Sequence, residues 1–175
     1  MTKPAYCGIG SRETPEDILP LMTASARQLE EAGLILRSGA AQGADTAFET
    51  GVWHWPNKQI FLPWIGFNNR HLYHPGTYRL TGEVEQQAMQ IAEKFHPNWA
   101  VCTDPSKMLH ARNVAQVLGP NLNDPVLFVL CWTKGGKGGG GTGQAIRIAK
   151  GYHIPVFDMG TGDLDAIAQG ISTLI

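Results

Sequence analysis

The stretch PVLFVLCWTKGGKGGGGTGQAIRIAK, residues 125–150, decides the fold. Its opening run from Pro125 to Trp132 is apolar on both parities, the pattern of a strand covered on both faces in a parallel sheet. Seven glycines then fall within the nine residues 135–143. The spacing predicts a helix over 142–150. A glycine-rich loop between a buried strand and a helix suits a phosphate: the helix N-terminus offers unpaired N–H groups and partial positive charge. Thr142 can cap that helix or hydrogen-bond the phosphate, and Lys134 and Lys137 add charge. The run lacks the GK[ST] ending of a Walker A loop.

Outward from this stretch, strands alternate with helices. Strands are expected at 5–9, 34–37, 59–62, 100–102, 125–132 and 155–158, with 125–132 central. Helices are expected at 16–32, with Thr14 as N-cap and Asp17 in a capping box, and at 45–52, 81–95, 106–118, 142–150 and 163–174. The alternation gives an α/β fold, a three-layer sandwich around a mainly parallel central sheet. In such sheets ligands bind beyond the carboxyl ends of the strands. The glycines sit there: Gly8-Ile9-Gly10-Ser11-Arg12 follows the first strand, and Ser38-Gly39-Ala40-Ala41-Gln42-Gly43-Ala44-Asp45 follows the second.

The chain has 175 residues, 21 of them glycine, and a formal charge of −1. One domain, 1–175, is expected, with an aromatic-rich insertion at about 53–81. The near-neutral balance disfavours gripping nucleic acid by bulk charge and suits one small phosphorylated ligand. No apolar run is long enough for a membrane span, and no signal peptide is expected. Three cysteines without CxxC spacing point to a reducing compartment and a cytoplasmic protein. Cys7 and Cys131 lie in strand-like runs and read as core residues.

Residues 38–45, SGAAQGAD, resemble the "SGgAxGiD" segment of the DprA/Smf DNA-processing family. Arg112-Asn113 match the start of its "RNR" motif, and GGGTGQAIRIA, 139–149, resembles its "sGsxxTAxxA" run. The wider superfamily, SLOG, is Rossmann-like and includes the LOG phosphoribohydrolases, whose "PGGxGTxxE" is similar to Gly140-Gly141-Thr142. The LOG glutamate falls on Ala145 here. The resemblance covers most of the chain outside 53–107 and implies a nucleotide or nucleic-acid ligand, with phosphate between the Ser38 and Gly139 loops. Related families often dimerise, so a homo-oligomer is expected.

Together these readings give a candidate nucleotide- or phosphate-binding set: Gly10, Ser11, Arg12, Ser38, Gly39, Ala40, Gly43, Arg112, Asn113, Trp132, Gly139, Gly140, Gly141 and Thr142. Arginine suits phosphate through its forked donors, whereas Arg147 reads as structural. Trp132, Trp64 or Phe67 could stack a base, or the last two could form a satellite core. For N-glycosidic cleavage a carboxylate would stabilise the oxocarbenium-like centre. Asp45, Glu49 and Asp104 are the candidates; Asp45 could equally cap its helix. His71 and His74 share i,i+3 spacing without a third ligand, so neither metal nor cofactor is expected. The reading is a nucleotide-binding protein with cleavage as an option. The alternative is a DprA-like nucleic-acid-binding protein.

Overall fold

In a computed structural model describing residues 3–175, six strands form one sheet, all parallel, in the order β4-β3-β2-β1-β5-β6. The strands are β1 (Ala5–Gly10), β2 (Ile35–Ser38), β3 (Lys58–Leu62), β4 (Thr77–Arg79), β5 (Val129–Trp132) and β6 (Val156–Asp158). The helices are α1 (Leu19–Glu31), α2 (Ala44–Gly51), α3 (Gly82–Phe95), α4 (Asp104–Leu118), α5 (Thr142–Gly151) and α6 (Leu164–Ser172). The α/β three-layer reading holds, and the arrangement is Rossmann-like. None of the described helices is long and apolar enough to cross a membrane.

The strand pleat sorts the apolar residues into two cores. Tyr6, Leu36, Phe128, Leu130 and Trp132 pack with Met22, Leu29, Phe48 and Ile171 on the α1/α2/α6 side. Cys7, Ile9, Val129 and Cys131 pack with Ala88, Val114, Val117, Ile146 and Ile148 on the α3/α4/α5 side. Cys7 and Cys131 are thus core residues, their thiol pKa values pushed up by burial. The chain winds from β1 through β4 to one edge, then crosses to place β5 beside β1. The winding direction therefore reverses between β1 and β5, and a crevice opens there at the carboxyl ends.

Several local expectations are corrected. Helix α1 begins at Leu19 rather than residue 16, and its N-cap is Ile18. The Thr14 hydroxyl instead donates to Ser11 O at 2.7 Å, closing a turn beside the crevice. The first ladder residue of β5 is Val129, not Pro125, and β5 lies between β1 and β6, one strand in from the edge. Residues 100–102 form no strand: Trp99–Val101 is a single 3-10 turn closed by Cys102 N–H on Trp99 O at 3.0 Å. Within the aromatic segment, residues 77–79 form the short edge strand β4, which its exposed and polar positions concealed.

Helix α2 crosses α1 at Gly51, where a Cβ would lie 2.2 Å from Thr23 O and 2.7 Å from Ala26 Cβ. Gly51→Val should therefore push the helices apart and cost about 1–3 kcal/mol, read as a lower urea midpoint with unchanged slope.

Candidate phosphate-binding cleft

At the β1/β5 crevice lies a cleft of about 500 Å³. Its walls come from the turn after β1 (Gly10, Ser11, Arg12, Glu13), from Ala41 and Asp45, from one face of α4, and from Gly139, Gly140, Gly141 and Thr142. The α4 face comprises Ser106, Leu109, His110, Arg112, Asn113 and Gln116, related by i,i+3 and i,i+4 steps.

The loop after β5 is built to keep its backbone at the cleft. Asp158, at the end of β6, accepts hydrogen bonds from Thr133 N–H, at 2.8 Å, and from the Thr133 hydroxyl. The Thr133 hydroxyl oxygen in turn accepts from Gly138 N–H at 2.9 Å. From the other side, Asn113 Nδ2 donates to Gly141 O at 3.2 Å. Gly143 packs so closely that a Cβ would sit 2.2 Å from Gly138 O. Gly139 and Gly141 differ: neither has a positive φ, and a Cβ on either meets nothing within 4 Å. Neither backbone strain nor internal packing requires glycine at these two positions. What they leave open is the space outside the loop. Gly141 is the N-cap of α5, and no side chain caps that end. Thr142 therefore lines the cleft without serving as the cap.

Asp45 and Arg112 anchor the opposite wall. Asp45 is 3 % exposed and sits in the first turn of α2. Its Oδ2 accepts from Gly39 N–H at 3.1 Å and Ala41 N–H at 3.3 Å, so it bridges back to the loop before its helix rather than capping it. Burial raises its carboxyl pKa to about 6, against the opposing pull of the Arg112 guanidinium and of the Ala41, Gly39 and Gly10 amides. Arg112 donates to Gly39 O. A Cβ on residue 39 would fall 1.7 Å from Arg112 Nη1, so Gly39 is the space the guanidinium occupies. Arg112 also lies 5.7 Å from the centroid of the Phe67 ring. Its Nε, both amide atoms of Gln116 and Nδ1 of His110 are buried without a protein partner. Burial and neighbouring positive groups hold the His110 imidazole down at about 4.

The predicted set divides in two. Gly10, Ser11, Arg12, Asp45, Arg112, Asn113, Gly139, Gly140, Gly141 and Thr142 meet at the cleft. Ser38, Gly39, Ala40 and Gly43 lie behind it as scaffold. Ser38 Oγ donates to Gly8 O at 2.7 Å, Ala40 O accepts from Asn68 Nδ2 at 2.8 Å, and Gly43, at φ 80°, fits under the Ser11 and Arg12 carbonyls. Trp132 is a core residue, drawn inward by the pleat of β5. Glu49 lies a helical turn below Asp45, paired with Arg70 and with Lys58 at 3.7 Å, away from the cleft. Asp104 is exposed at the first position of α4. Phe67 and Trp64 pack edge to face in a satellite core with Ala40, Ala41, Ile60 and Leu62. Arg147 holds Phe95 O and Gln144 Oε1, as its structural reading requires. Gln116, His110 and Ser106 escaped sequence reasoning. The signal that could have found them is their spacing from Arg112 and Asn113 along one helix face.

No family model matches the chain, and no curated protein matches it. Among solved structures, DNA processing protein A from Helicobacter pylori is similar, with a TM-score of 0.54 at 16 % identity. The match covers 98 % of this chain and 80 % of that one. That structure is described as having a unique single-stranded DNA binding mode. The likeness supports the Rossmann-like architecture over nearly the whole chain.

The raised Asp45 carboxyl has a measurable sign. The folded state holds its proton up to about pH 6, whereas an unfolded aspartate loses it near 3.9. Stability from this group therefore declines as pH rises from about 4 to 6 and then levels off. Asp45→Asn should flatten that part of the pH profile in urea denaturation, whatever its constant offset.

Proposed function

We propose that the cleft binds the phosphate of a nucleotide unit and that single-stranded DNA is its bearer. The observation that carries the phosphate reading is the pairing of buried, unpartnered donors, Arg112 Nε and Gln116 Nε2, with a helix start at Gly141 that no side chain caps, in one cleft. A buried donor without a partner is costly, and an anionic oxygen would satisfy it. Arg12 adds a second guanidinium at the rim. The choice of DNA rests on the similarity to the Helicobacter pylori protein and on the resemblance of residues 38–45, 112–113 and 139–149 to DprA/Smf segments. A free nucleotide-derived ligand is the second reading, favoured by the formal charge of −1 and the small cleft.

Binding is favoured over N-glycosidic cleavage. Asp45 is the only one of the three candidate carboxylates at the cleft, and backbone amides already engage it. With Asp45 so engaged and the other cleft carboxylate, Glu13, exposed to solvent, the LOG resemblance at Gly140, Gly141 and Thr142 supports phosphate contact more than cleavage.

Anisotropy with a labelled oligo(dT) and thermal shifts with nucleoside monophosphates separate the readings. The oligonucleotide should bind, with log affinity falling by roughly 0.7 per phosphate contacted for each decade of salt. Gly141→Val should leave the unliganded protein folded, with a melting temperature lowered by at most a few degrees because valine is a poor N-cap, and abolish binding. Monophosphate binding without oligonucleotide binding would select the second reading; neither, or binding that survives Gly141→Val, overturns the phosphate site. An anion beside Asp45 favours its protonated form. Oligonucleotide affinity should therefore weaken as pH rises through about 6, and Asp45→Asn should remove that dependence. The diester phosphates of oligo(dT) carry no titration of their own in this range.

A further inference from the structure

Beside the cleft, three residues from separate local structures converge. His96 follows the last residue of α3, Cys102 closes the turn after it, and His110 lies in the second turn of α4. One ligand atom from each, a ring nitrogen of both histidines and Cys102 Sγ, lies within 4.8 Å of the other two. Cys102 Sγ is 3.7 Å from His96 Nδ1 and 3.8 Å from Nε2. A tetrahedral zinc ion bound by sulfur and imidazole nitrogen sets these two ligands about 3.6 Å apart, from bond lengths of about 2.3 and 2.05 Å. The two imidazole centroids are 4.5 Å apart, and Trp99 packs against both rings.

We propose that His96, Cys102 and His110 form a binding site for a zinc-class divalent cation, with a fourth coordination position left to solvent or a ligand. The donor set, two imidazoles and one thiolate, is borderline-soft and matches Zn²⁺ over Mg²⁺ or Ca²⁺. All three side chains are half-buried, so the site is reachable without unfolding. A second, independent observation concerns His110: its Nδ1 is buried without a protein partner, and a metal would supply one. His96 Nδ1 accepts a 3.2 Å hydrogen bond from Asn98 N–H in an exposed turn, which ligation through that nitrogen would displace. Arg112 and Arg147 lie close enough to His110 to act on it electrostatically and oppose a cation. The Cys102 thiolate offsets part of that opposition. The simpler account of the cluster is a thiol hydrogen-bonded to Asn98 O and His96, and the experiment below separates the two.

His110 also belongs to the cleft wall, so metal ligation would fix one side chain of that wall and add positive charge beside it. The metal site does not depend on what the cleft binds, and its test uses the metal alone. Tag-free protein stripped by a chelator is titrated with Co²⁺ and followed by absorption. The expected result is one Co²⁺ per chain, with the visible bands of tetrahedral cobalt and a thiolate-to-cobalt charge-transfer band, both displaced by Zn²⁺. Cys102→Ser should lose the charge-transfer band while Cys7 and Cys131 remain buried in the core. His96→Gln should lose the tetrahedral spectrum. His71→Gln, elsewhere in the fold, should bind as the parent does. Circular dichroism verifies that each variant is folded, and His110→Gln replaces His96→Gln if the latter is not. Absence of a stoichiometric spectrum in the parent, or a charge-transfer band that persists in folded Cys102→Ser, overturns the site.

Discussion

A buried carboxylate holds the carboxyl end of the sheet together. Asp45 reaches from α2 back to the amides of Gly39 and Ala41, and the Gly10 amide also acts on it, so the ends of β1 and β2 are tied to one side chain. Arg112 enters from the opposite helical layer and takes the Gly39 carbonyl. The two helical layers thus meet through the sheet's end rather than around its edges. The residues between these two charges have little freedom. Residue 39 must be glycine to admit the guanidinium, and Gly43 must adopt a positive φ for α2 to begin beneath the Ser11 and Arg12 carbonyls. The cleft is the space this bracing leaves open on its solvent side.

How much of this could be read in advance depended on whether a residue acts through local backbone or through a distant neighbour. The alternation of strands and helices was plain, because the central strands β1 and β5 are covered on both faces and so read as continuous apolar runs. The glycines at the ends of β1, β2 and β5 pointed to the edge of the sheet where the cleft lies. Residues whose role is set by packing were misplaced. Trp132 looked available at a strand end, but the pleat turns it into the core. Glu49 shares a helix face with Asp45, yet the helical rise carries it to Arg70 and Lys58. Gln116 and His110 carry no motif, and their place in the wall follows only from how α4 crosses the sheet. Edge strand β4 was hidden because three residues, none of them buried, leave no periodic signature.

Charge is similarly local. A nearly neutral chain still concentrates a buried arginine, a second arginine and a helix start without a side-chain cap at one crevice. Away from it, Arg37 is equally buried but fully engaged: its guanidinium meets Gln59, the Asp124 carboxylate and the Asp124 carbonyl. The contrast between these two buried arginines is informative. Arg37 closes its own hydrogen-bonding requirements within the fold, and Arg112, which lines the cleft, leaves its buried Nε without a protein partner.

Gly139 and Gly141 bear on how such a cleft can diversify. Every other glycine lining the cleft is bound to the scaffold, Gly10 by its 2.5 Å approach to Ala44 Cβ and Gly140 by its positive φ. These two are free of both obligations. The aperture can therefore be narrowed or given new chemistry one side chain at a time with the sheet and the Asp45 brace untouched, freely at 139 and, at the helix N-cap 141, with residues that suit a cap. The chemistry of the rim and thermal stability are separable traits at residue 139, so a lineage could change one without first compensating the other.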